Sequence, residues 1–198
     1  EMCIRDRSKA IDRSLVVEIG YGKTGKVTCN VLPAPEIYAS TANDDCMEQD
    51  MEGAKKLLDD AGWEMGGDGV RVKDGQRLSV LYQTSTNSVR QGTQALIKQM
   101  WEAIGVETEL RNIDAAVFFG GDPASPDTYG KFFADVEMYT NDFPGTDPEG
   151  YMGIWTCEEI SGPDNQWIGN NDSRWCNPEY EALIAEMAGT AELEKRAE

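Results

Sequence analysis

The residues closest to a recognisable chemistry are Gly20–Val27, GYGKTGKV, which nearly spell a phosphate-binding loop. That loop needs G-x-x-x-x-G-K followed by Ser or Thr, because the hydroxyl holds the magnesium that bridges nucleotide phosphates. Val27 stands at the hydroxyl position. The loop must also follow a strand and open a helix whose amides face the phosphates. Here the flanks are reversed. Ala10, Ile11, Leu15, Val16 and Ile19 precede the glycines at helical spacing, and Pro33 and Pro35 follow where the second helix would have to be. The stretch therefore reads as a helix end running into a glycine-rich turn.

Other reactive groups are scarce. The 198 residues contain no histidine, which removes the commonest general base and the commonest zinc ligand. Carboxylates are plentiful, 36 acidic against 18 basic residues for a formal charge of -18, and this repels phosphate backbones and anionic lipid. Nucleic acid is excluded as an expected partner. Glu137 and Asp142 are the pair that an acidic hydrolase could use, provided their surroundings split their pKa values. Cys29, Cys46, Cys157 and Cys176 form two sequence-local pairs without C-x-x-C spacing. Two short-loop disulfides and an oxidising compartment are expected, with buried free thiols as the alternative.

The elements that must position these groups are legible from period and punctuation. The first eight residues, beginning EMCIRDR, carry no helical or strand pattern and read as a junction foreign to the fold, 1–8. Asp50 caps a predicted helix with Met51, Ala54, Leu57, Leu58 and Ala61 on one face and Gly62 at its end. Val70 and Val72 alternate with Arg71 and Lys73 in a small hairpin. Leu78 to Gln83, Ser88 to Ala103 and Val106 to Arg111 then give strand, helix, strand: a right-handed parallel crossover. Asp114 opens a short helix, FFADVEMYT supplies another strand, and Asp147 and Pro148 open a helix toward Trp155. A polar, Trp-bearing loop from Glu158 to Asn177 leads into the amphipathic helix NPEYEALIAEMAG. No apolar run approaches the roughly 20 residues that span a bilayer.

The order of landmarks carries more than any one of them. KAIDRSLVVEIGYGKTGKV, AKKLLDDAGW, DGVRVKDGQRLSVLYQT, ALIKQMWEAIGVETELRNIDAAVFF, ADVEMYT with TDPEGYM, and NPEYEAL together resemble the family 5 extracellular solute-binding proteins, the peptide-binding subunits of ABC importers. The resemblance implies an α/β fold, a type II periplasmic-binding-protein-like lobe with a βαβ-containing mixed sheet flanked by helices. Residues 9–198 would form most of one lobe of a two-lobed protein, with the other lobe and the signal sequence absent. It further implies a peptide or other small-molecule solute, permease subunits as partners, a monomer, no cofactor, no metal and no catalytic residue. The location implied is periplasmic or extracellular, with a lipid anchor possible in the full-length protein.

Ligands of open α/β sheets sit beyond the carboxyl ends of strands, which selects 84–87 and 139–142 as candidate loops. In oligopeptide binders of this family the second loop carries a Trp and, three residues on, an Asp that receives the peptide amine. A gapless match places Asn141 at the Trp position and Pro144 at the Asp position, so neither family residue is present. The candidate ligand-binding residues are Tyr139, Asn141, Asp142, Trp167, Asn170 and Arg174. Each has a structural alternative: Asp142 as a turn former, Tyr139 as sheet filling, Trp167 as core, and Asn170, Asn171 and Arg174 as ties that hold the loop. Glu181 replaces the family's usual Asp, a change expected to bear on capping. An acidic hydrolase and a structural or protein-interaction lobe remain the rival functions.

Overall fold

The computed structural model describes residues 2–32, 34–143 and 145–197, so Pro33 and Pro144 lie outside the described residues. The chain divides into two compact units, Glu1–Asn30 with Thr41–Ile113 and Ala134–Met138, and Val31–Ser40 with Asp114–Phe133 and Tyr139–Glu198.

The first unit is built around the predicted crossover. Strand β4 (Ser79–Ser85) runs parallel to β5 (Glu107–Ile113), and helix α4 (Ser88–Glu102) connects them. Strand β6 (Val136–Met138) adds in parallel on the other edge, giving the order β5-β4-β6. Asn87 starts α4 by accepting from the amides of Val89 and Arg90, which satisfies two of its unpaired donors. Helix α2 (Arg13–Gly20) is capped by Asp12 and α3 (Met51–Asp60) by Asp50. Their apolar faces, with Tyr82, Ile97, Trp101 and Ile104, form one core on which Trp63 packs back. Beyond Gly20 the chain makes a short 3-10 turn over Gly22–Thr24, and among the described residues no α-helix begins before Met51, as the flanks of the phosphate-loop look-alike require.

Parallel and antiparallel strands are divided between two sheets. Strands β1 (Glu64–Met65), β2 (Arg71–Lys73) and β3 (Gln76–Arg77) make the antiparallel one. Asp74 and Gly75, both at positive φ, turn the chain between β2 and β3. Arg71 is buried rather than solvent-facing, because its guanidinium donates to the carbonyls of Ile104 and Trp63 and to Asp59. The stretch read as lacking regular structure is also ordered: Met2–Lys9 form helix α1, Asp6 is buried, and Trp101 Nε1 donates to the Arg7 carbonyl. Contacts distant in sequence supply what its own pattern lacks. Cys29 and Cys46 are bonded, with Cα atoms 6.1 Å apart.

The second unit is mostly short elements and loop. Asp114 caps α5 (Ala115–Phe118), and Phe118 is fully buried. Helices α6 (Glu149–Gly153), α7 (Pro178–Gly189) and α8 (Leu193–Arg196) follow. Asn177 caps α7, and the Tyr180 hydroxyl on that helix donates to the Met152 carbonyl. Arg196 joins the ends together: one guanidinium nitrogen pairs with Asp147 and Glu149, and another donates to the carbonyls of Met187 and Thr190.

Candidate functional site

The loop from Cys157 to Cys176 has little periodic structure and is held by side chains instead. Its ends are bonded as a disulfide with Cα atoms 4.9 Å apart. Asn171, fully buried, donates from one amide nitrogen toward the carbonyls of Trp155, Thr156 and Trp175, while the backbone bridges Ile160 to Asn171. Asn165 clamps the Ile160 carbonyl and the Gly162 amide, and Ser161 donates to the Gly130 carbonyl. Gly130 has to be glycine, since a Cβ there would come within 2.6 Å of the Trp167 carbonyl. Glu181 does not cap α7. Its carboxylate reaches the Cys157 amide and ties the helix to the loop.

This scaffold and the segment that follows β6 enclose a cavity of ≈ 140 Å³ lined by Phe119, Tyr129, Tyr139, Thr140, Asn141 and Asn170. Three of the six sequence candidates therefore share one cavity: Tyr139, Asn141 and Asn170. The rings of Phe119 and Tyr129 lie 5.7 Å apart and those of Tyr129 and Tyr139 5.3 Å apart, all tilted. Asn170 is steadied by Glu159, which accepts from both its amide side chain and its backbone.

The other three candidates are placed differently. Asp142 is exposed and does not line the cavity, and its amide is taken by the Asn141 side chain. Trp167 is half-buried, and the Lys131 ammonium sits 3.1 Å from its ring centroid, so one face is already covered by a cation. Arg174 spends its guanidinium on the carbonyls of Asp172 and Lys131, the loop-holding alternative. Of the first candidate loop, Thr84 and Ser85 are buried, the Thr84 hydroxyl donates to the Met138 carbonyl, and Asn87 serves as the cap of α4. That loop's polar atoms are largely spent within its own unit.

One residue the sequence did not single out is central. Asp172 is 2% exposed, one carboxylate oxygen accepts from the Tyr139 hydroxyl at 3.2 Å, and the other has no hydrogen-bond partner among the described residues. Burial pushes its pKa up to about 6, against the pull of the Tyr139 hydrogen bond and the Arg174 charge. The same negative charge, after burial, helps to raise Tyr129. Within the polar segment Asn170–Trp175 Asn171 and Asp172 are buried, and Asp172 lies against Gly130, forty-two positions earlier, where an added Cβ would come within 3.7 Å of its carboxylate, so no local signal marks it.

Among the described residues no group of three or more His, Cys, Asp or Glu side chains is placed to hold a metal. Glu137 is engaged by Gln83 within the parallel sheet. What remains is an α/β scaffold of the type II periplasmic-binding-protein kind, with a small aromatic cavity. The family described as bacterial extracellular solute-binding proteins, family 5 Middle, matches residues 8–162. The chain belongs to that family.

Among relatives, the oligopeptide-binding protein OppA of Lactococcus lactis subsp. cremoris (strain SK11) is 39% identical over 67 residues, 33% of this chain and 11% of its own. Among solved structures, the oligopeptide-binding protein of Thermus thermophilus complexed with a pentapeptide matches with a TM-score of 0.76 at 19% identity, covering 99% of this chain and 34% of that one. NikZ of Campylobacter jejuni, in complex with Ni(L-His), matches with a TM-score of 0.78 at 18% identity, covering 100% of this chain and 37% of that one. The chain thus spans about a tenth of the curated relative and about a third of the two solved proteins.

Proposed function

We propose that this chain is part of a solute-capturing subunit of an ABC importer, which takes up peptides or similar small solutes outside the cytoplasmic membrane and hands them to permease subunits. Family membership over residues 8–162 carries the reading. The aromatic cavity supports it, because Tyr139, Thr140 and Asn141, the residues that directly follow β6 in the chain, line it together with Phe119, Tyr129 and Asn170. Tyr139, Asn141 and Asn170 are the contacts this reading assigns on this chain. Asp142 is a solvent-side carboxylate for a solute cation. Trp167, with one face on Lys131, offers its other face for stacking.

Such a subunit works as a monomer in the periplasm or outside the cell, needs no cofactor, and does no chemistry on its cargo. The hydrolase alternative is less well supported. Asp142 is exposed, and Glu137 is engaged by Gln83, so neither is set against an activated partner. The test is a thermal-shift screen of the full-length protein with di- to nonapeptides and small amine and carboxylate solutes, each followed by mass spectrometry of the compound. Stabilisation with the compound recovered intact fits a receptor. Turnover, or a complete absence of stabilising solutes, overturns the reading.

A further inference from the structure

The cavity lined by Phe119, Tyr129 and Tyr139 is small for a peptide or any drug-sized ligand, which needs about 300–1,000 Å³. It suits a headgroup. Aromatic rings present negative faces and attract cations placed over them. At the hydroxyl of Tyr139 lies a carboxylate, Asp172, that is 2% exposed and has one oxygen without a partner among the described residues. A buried charge with an unused acceptor is costly unless something compensates it. We propose that this cavity is a cage for an alkylated ammonium group, with Phe119, Tyr129 and Tyr139 as its walls and Asp172, bonded to the Tyr139 hydroxyl, as the positioning charge.

This rests on the solute-binding reading above and narrows the cargo within it. The lining favours a methylated ammonium over a primary one. A primary ammonium brings three N–H donors that each require an acceptor. The Asn141 side-chain oxygen already accepts from the Asp142 amide, and three of the six lining residues present aromatic rings. An ammonium bearing methyl groups has fewer such demands and is satisfied by ring faces. The charged and titratable groups around Asp172 are Tyr139, Tyr129 and Arg174. Arg174 opposes a bound cation, but it is exposed and held on two backbone carbonyls, where solvent and salt screen it. The raised pKa of Asp172 gives the cage a pH dependence: the carboxylate is charged above about 6 and neutral below.

The experiment uses the 198-residue chain and two probes of nearly equal shape, choline and its neutral analogue 3,3-dimethylbutan-1-ol, titrated by NMR. Choline is expected to bind about tenfold more tightly than the alcohol at pH 7.5, from cation attraction to several rings. The preference should shrink as pH falls to 5, and in Asp172→Asn it should be reduced and independent of pH. Phe119→Leu should weaken choline more than the alcohol, and Tyr129→Phe, which keeps the ring, should not. Equal affinity for the two probes, or no detectable choline binding, overturns the cage whatever the variants do. Peptide stabilisation of the full-length protein that persists alongside that result would leave the solute-binding reading standing, so the two failures are distinguishable.

Discussion

Replacing Asp172 with Asn should stabilise the protein at neutral pH and leave it unchanged or weaker in acid. A carboxyl whose folded pKa lies above its unfolded value contributes stability that is complete below the unfolded pKa and is lost as pH rises through the folded one. For Asp172 those limits are the ordinary 3.8 and about 6. The gap corresponds to about 3 kcal/mol of stability present near pH 3.5 and gone by about pH 7. Asn carries no charge at any pH, so the variant should gain up to about 3 kcal/mol at pH 7.5, less about 1 kcal/mol for the altered hydrogen bond with Tyr139. Asp50, Asp68, Glu107 and Asp147 are shifted downward by their partners and contribute with the opposite sign. The wild-type curve therefore mixes both, and the difference between wild type and variant isolates Asp172. Urea denaturation at half-unit steps from pH 4 to 8, followed by tryptophan fluorescence, measures it. A difference that is flat with pH, or that favours wild type as pH rises, would refute the burial of an ionised carboxylate here.

Three further outcomes follow from the loop and the candidate contacts. Replacing Cys157 and Cys176 with Ser should cost about 3 kcal/mol, the entropy of a loop with a sequence separation of 19, and peptide mapping without reductant should find both cysteine pairs. Free thiols in protein made under oxidising conditions would contradict the pairing. Asn171→Ala removes the amide that three carbonyls share, and denaturation should show a loss of about 2–3 kcal/mol; a loss below about 0.5 kcal/mol would mean that the disulfide alone holds the loop. In the full-length protein, calorimetry should find that Asp142→Asn weakens cationic solutes by about 1–3 kcal/mol and spares neutral ones, whereas Trp167→Ala weakens bulky solutes of either kind. An equal loss across all solutes for Asp142→Asn would make it a loop-shaping residue.

Elements whose determinants are local were readable from sequence. The caps Asp50 and Asp114, the apolar face of α3, and the strand-helix-strand order from Ser79 to Ile113 all appear where period and capping residues place them. Elements whose determinants are distant were not. Helix α1 forms on contacts such as that from Trp101 to Arg7, ninety-four positions away, although its own residues show no apolar stripe. Arg71 looks like the outward half of an alternating strand, yet it is buried because the carbonyls of Ile104 and Trp63 surround it. Glu181 looks like a capping variant and instead fastens Cys157.

The same distinction explains the candidate site. Composition and strand ends directed attention to Tyr139, Asn141 and Asn170, and these do share a cavity. Asp142 drew attention because it is a carboxylate in the right loop, while the carboxylate engaged with a cavity wall is thirty positions further on. In a chain of charge -18 nearly every Asp is solvated, so being a carboxylate in a loop singles out none of them. Asp6 and Asp172 are the two taken out of water, which a fold does at a cost in stability, and Asp172 is the one bonded to an aromatic wall of the cavity. That cost is the reason to assign it a role: a neutral residue would serve the loop better, and the charge gains a purpose when a cation occupies the rings to which the Tyr139 hydroxyl joins it.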